Sequence, residues 1–179
     1  MSLKFQQIKI LKEKVVLKMA SSLEVEENGD SEEPSSTVQT KGKFETNLPA
    51  SEEMREAMDA FASDVAKFMD IPAKEVDRIT VQGITIQTKN DLIGLQLHYK
   101  QDLKTCKGAH NAVSPVKWQY SSLEDELPEG EEDFYLDDEI IDKMHKLIAA
   151  TEAYLKESPR QLDMFRHQIV NGSAEDKAA

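Results

Sequence analysis

The sequence holds a single cysteine, Cys106, in 179 residues. No internal disulfide can form, and the chain suits a reducing compartment, so a cytoplasmic protein is expected. No apolar run approaches the roughly 20 residues that span a bilayer. The first nineteen residues are broken by Lys4, Lys9, Lys12, Lys14 and Lys18, which denies them the continuous apolar centre of a signal peptide. No membrane partner is expected. The phosphate-cradling patterns Gly-x-x-x-x-Gly-Lys-Ser/Thr and Gly-x-Gly-x-x-Gly are both missing, and no cofactor is expected. His98, His110, His145 and His167 lack paired metal-ligand spacing, and no Cys-x-x-Cys accompanies them. Basic residues are also short: 22 Lys and Arg stand against 34 Asp and Glu, a net charge of −12. That balance disfavours indiscriminate adhesion to nucleic acid or anionic membrane.

Candidate catalytic groups are weak. Cys106 lies between Lys104 and Lys107 with His110 four positions on, and positive neighbours favour a thiolate. An orienting third group and an oxyanion site are not visible, so an ordinary thiol is expected. Glu124, Asp125, Glu126, Glu129, Glu131, Glu132 and Asp133 form an acidic run. Carboxylates can gather Mg²⁺, but these surround Pro128 and Gly130 instead of standing on rigid strands. A solvated loop is the plain reading. The sharper one is a DNA mimic, in which the run occupies the DNA-binding groove of another protein. The expectation is a protein that is not an enzyme.

Periodicity predicts an α+β domain over residues 1–157. Phe5–Leu11 and Val15–Met19 read as a hairpin around Lys12-Glu13-Lys14. Residues 20–37 are too polar to bury and rich in turn formers, so a loop is expected. Thr37–Thr46 reads as a strand. Ser51 suits an N-cap, and Met54, Ala57, Met58, Phe61, Val65, Phe68 and Met69 fall on one helical stripe that stops by Ile71-Pro72. Arg78–Thr88 and Leu92–Asp102 form a second hairpin. Ile79 and Val81 share one face and Ile84 and Ile86 the other, so a bulge at Gly83 would return all four to the core. In the partner strand Ile93, Leu95, Leu97 and Tyr99 point inward, leaving Gln96, His98 and Lys100 outside. A short strand is expected within Pro115–Tyr120, and an acidic loop over 121–136. A second helix then runs from Asp137-Asp138-Glu139 to about Glu157, its stripe made by Ile140, Ile141, Met144, Leu147, Ile148, Thr151, Tyr154 and Leu155. The order implies an antiparallel sheet of about five strands with two amphipathic helices on one face, followed by a flexible tail, 158–179.

That tail contains Gln161-Leu162-Asp163-Met164-Phe165. It resembles the bacterial sliding-clamp-binding motif, Gln-Leu-Ser/Asp-Leu-Phe, carried on tails of DNA polymerases and mismatch-repair proteins, and departs from it only at Met164. The resemblance implies that Leu162, Met164 and Phe165 fill a hydrophobic pocket on the clamp, that Gln161 makes polar contacts at its rim and that Asp163 keeps the tail soluble. Met replaces Leu in such a pocket at little cost. The competing reading is one more amphipathic turn, with Leu162, Phe165 and Ile169 on one helix face. Over its body the chain resembles small proteins of phage and prophage genomes. Together these resemblances imply an accessory protein of DNA replication, recombination or repair with the sliding clamp as partner. Single-stranded DNA is a further candidate partner: the lysines of the first hairpin, with Lys89, Lys100, Lys104 and Lys107, would form a basic face if Phe44, Tyr99, Trp118 or Tyr120 stood exposed beside them.

Overall fold

Alternating apolar side chains become one face of a sheet in the computed structural model, which describes residues 2–12, 14–24, 37–89, 92–104, 107–120 and 135–157. Among the described residues there are eight strands: β1 (Ser2–Leu11), β2 (Lys14–Glu24), β3 (Thr37–Thr46), β4 (Ile79–Lys89), β5 (Leu92–Asp102), β6 (Ala109–Val113), β7 (Lys117–Gln119) and β8 (Tyr135–Leu136). Their order is β3-β2-β1-β4-β5-β7-β8, with β6 also paired to β5. All pairings are antiparallel except β7 with β8. The fold is α+β, as expected, with a larger sheet. β6 and β8 went unforeseen because Ala109–Val113 has little alternation and β8 is two residues long. β2 also runs on to Glu24, pairing there with Thr37, which shortens the loop expected over 20–37.

Two bulges keep the apolar positions in step. β1 shifts register between Phe5 and Gln7, and β4 between Val81 and Gly83. Phe5 and Ile8 therefore share the inner face, as do Val81 and Ile84, and all four are buried. The bulge expected at Gly83 is there. It also brings the strands close, because a Cβ on Gly83 would stand 2.6 Å from the Ile8 carbonyl oxygen.

The inner face is covered by helices. Ser51 caps α1 (Glu52–Asp59), its hydroxyl accepting the Met54 N–H at 3.3 Å. The single helix expected over 51–69 is divided: α1 ends before Ala60, and α2 spans Ala62–Phe68. Neither Pro nor Gly marks the joint. Phe61 sits there with no exposed surface, and Met54, Met58 and Val65 on either side are buried as well, so the break preserves the stripe. Asp70 closes α2 with φ 51°, and the Ile71 N–H reaches back to the Ala66 carbonyl at 2.9 Å, as in a Schellman ending. A short 3₁₀ helix, Ala73–Arg78, leads into β4. The last helix, α3 (Asp138–Glu157), starts where the Ile140 N–H donates to Asp137 Oδ1 at 2.8 Å.

One core joins both layers. Ile8, Leu17, Ile84, Leu95 and Leu97 from the sheet meet Met54, Phe61, Val65 and Leu147 from the helices, each worth about 1.5–3 kcal/mol on full burial. Between β6 and β7, Pro115 interrupts the ladder beside β5, and buried Ser114 repairs it. Its N–H donates to the Leu97 carbonyl at 2.8 Å, while its hydroxyl accepts the Leu97 N–H at 2.9 Å and donates to the Pro115 carbonyl.

Candidate functional site: the open face of the sheet

Residues that alternate with the core positions point away from the helices, and on β1, β2 and β3 they include Lys4, Lys9, Lys14, Lys18, Lys41 and Lys43. The register places Lys41, Ala20 and Lys4 in one row, Lys43, Lys18, Gln7, Thr85 and Gln96 in the next, and Val16, Lys9, Gly83 and His98 in a third. Among the residues whose side chains are described, two carboxylates share this face and both are paired. Glu45 contacts Lys43 at 2.5 Å and Lys14 at 3.9 Å, and Asp102 contacts Lys100 at 3.2 Å. The hydrogen bond from Lys43, then the charges of Lys14 and Lys43, hold the Glu45 carboxyl below its ordinary value. Among the described residues, Lys4, Lys9, Lys18 and Lys41 have no carboxylate partner. The face is therefore cationic in a chain of net charge −12.

Between the lysines and the β5 side lies an uncharged polar strip. Gln7 Nε2 donates to Thr85 Oγ1 at 2.9 Å, and Thr85 Oγ1 meets His98 Nε2 at 2.8 Å. Burial, helped by Lys9 and Lys18, lowers the His98 pKa from 6.5. The ring is thus neutral at pH 7, and its nitrogens can both donate and accept. Lys4, Gln6, Gln7, Lys18, Thr85 and Gln87 help to line a depression of about 610 Å³ here. Farther along, Trp118 pairs with Gly94 and its indole fills the space of the missing side chain, with ring atoms 2.8 Å from where a Cβ would stand. Trp118 stays partly exposed.

The structure sorts the aromatics named from sequence. Phe44 and Tyr99 are buried in the core, because their strand positions face the helices, so neither can serve an outer surface. Trp118 and Tyr120 keep partial exposure, Tyr120 packing edge-to-face on Tyr135 at 4.9 Å. Gln96, His98 and Lys100 lie outside as expected. Sequence reasoning missed Gln7 and Thr85, which β1–β4 pairing brings together from 78 positions apart.

Gln161, Leu162, Asp163, Met164 and Phe165 lie outside the described residues, as do Cys106, His167 and the acidic run from Glu124 to Asp133. Among the described residues no cluster of three or more His, Cys, Asp or Glu could hold a metal ion, and no helix is long and apolar enough to cross a membrane. On the helical side a cavity of about 900 Å³ runs between α2 and the β7 approach, where Lys117 stands 4.5 Å above the Phe68 ring. Nearby, Asp64 of α2 is fully buried and takes two hydrogen bonds from Lys143 of α3, at 3.0 and 3.3 Å. Burial pushes the Asp64 carboxyl above its ordinary value against the pull of Lys143.

Comparison with known proteins finds no match for this chain, whether among family models, curated proteins or solved structures.

Proposed function

We propose that this protein is a non-enzymatic accessory factor of DNA replication, recombination or repair, of the phage or prophage kind, held at the bacterial sliding clamp by residues 161–165. The observation that carries the reading is the peptide itself, Gln161-Leu162-Asp163-Met164-Phe165, which departs from the clamp-binding motif at one position by a near-isosteric exchange. Its place supports the reading too. The last buried residues of α3 are Tyr154 and Leu155, and the helix ends at Glu157, four positions before Gln161. Leu162, Met164 and Phe165 would supply the binding energy by entering a desolvated pocket, opposed by the cost of ordering the peptide. A dissociation constant near 1 μM follows, about −8 kcal/mol.

Calorimetric titration of the purified clamp tests this. The wild-type chain binds with micromolar affinity, and Leu162→Ala combined with Phe165→Ala abolishes the heat. Unchanged binding by the double variant contradicts the reading.

A further inference from the structure

We propose that the open face of the sheet takes single-stranded DNA, its phosphates on Lys4, Lys9, Lys18 and Lys41 and its bases on the Gln7–Thr85–His98 strip and Trp118. The proposal rests on the clamp reading for its choice of DNA as the nucleic acid, and on the face itself for everything else.

Charge complementarity selects a polyanion. The chain is acidic overall, yet the two carboxylates described on this face, Glu45 and Asp102, are paired with Lys14, Lys43 and Lys100. The four remaining lysines stand on three adjacent strands, β1 to β3. Strand spacing of about 4.8 Å makes the distance from β3 to β7 roughly 24 Å, enough for several nucleotides of an extended strand. A polymer that offered only charge would leave the polar strip and the indole without work. Bases fit both: glutamine, threonine and neutral histidine can meet base edges with donors and acceptors, and an indole stacks on any base. A duplex fits poorly, because no described helix stands on this face to enter a groove.

Fluorescence anisotropy with the full chain, no clamp and an oligothymidine of about 16 nucleotides tests the proposal. Four phosphate contacts predict a slope of log K against log salt of about −3. Lys9→Ala with Lys18→Ala reduces the slope by about half. Trp118→Ala weakens binding about tenfold at unchanged slope, while Trp118→Phe, which keeps a stacking ring, restores most of it. Lys146→Ala, on α3, changes nothing. The proposal is overturned by absence of binding at low salt, by a wild-type slope in the double lysine variant, or by equal or tighter binding of duplex or of RNA. Leu162→Ala with Phe165→Ala binds the oligonucleotide as wild type does, so failure here is separable from failure of the clamp reading.

Discussion

Gly83 shows how much one position controls. The β4 bulge there lets Val81 and Ile84 both face the core, and its missing side chain lets Ile8 approach from β1. Gly83→Ala puts a Cβ 2.6 Å from a backbone oxygen that has no freedom to rotate away. We expect a loss of about 2 kcal/mol, read as a lower urea midpoint at unchanged slope; wild-type stability would contradict the described approach. His98 makes a second prediction. Burial first, then Lys9 and Lys18, depress its pKa below 6.5, so on acidification the unfolded chain takes up this proton before the folded one. The corresponding stability is present above pH 6.5 and is lost as pH falls through the folded-state value. Urea unfolding between about pH 7.5 and 5 should cost the wild type more than His98→Gln, which retains a polar group for Thr85. Parallel losses would show that the ring is not desolvated as described.

Among the elements, α2 and α3 are joined by a buried ion pair, whose desolvation offsets much of its attraction. Asp64 is fully buried, and Lys143, mostly buried, also reaches Glu139 at 2.9 Å. Burial works to lower the Lys143 pKa, but its hydrogen bonds with Glu139 and Asp64 outweigh this and raise it. Removing one partner leaves the other uncompensated, so Asp64→Ala should lose about 3 kcal/mol, whereas Asp64→Leu with Lys143→Met should recover most of it. Thermal unfolding of both variants checks this, and a harmless single substitution would contradict it. The elements themselves were largely legible. Strong local patterns marked β3, the β4–β5 hairpin, the Ser51 cap and the α3 stripe. What escaped depends on distant partners: β6 exists because β5 offers it an edge, β8 because β7 does, and the α1–α2 joint because Phe61 is drawn into the core without a local helix breaker. The open face was half legible for the same reason. Alternation put Gln96, His98 and Lys100 outside, but only β1–β4 pairing brings Gln7 and Thr85 to His98.

At the scale of the whole molecule, two unlike parts would act together: a short peptide that grips the clamp and a cationic sheet face that holds a displaced strand. Neither needs high affinity, since holding one end near DNA raises the effective concentration of the other. A net charge of −12 disfavours indiscriminate adhesion of the chain to duplex. The most direct measurement of the joint claim is binding to a primed template with a single-stranded overhang, with and without clamp loaded on the duplex. Loaded clamp should tighten wild-type binding by about a hundredfold; this gain should disappear in Leu162→Ala with Phe165→Ala, whereas Lys9→Ala with Lys18→Ala should weaken binding both with and without clamp. A gain that survives the peptide substitutions, or wild-type binding by the lysine variant without clamp, would contradict the joint claim.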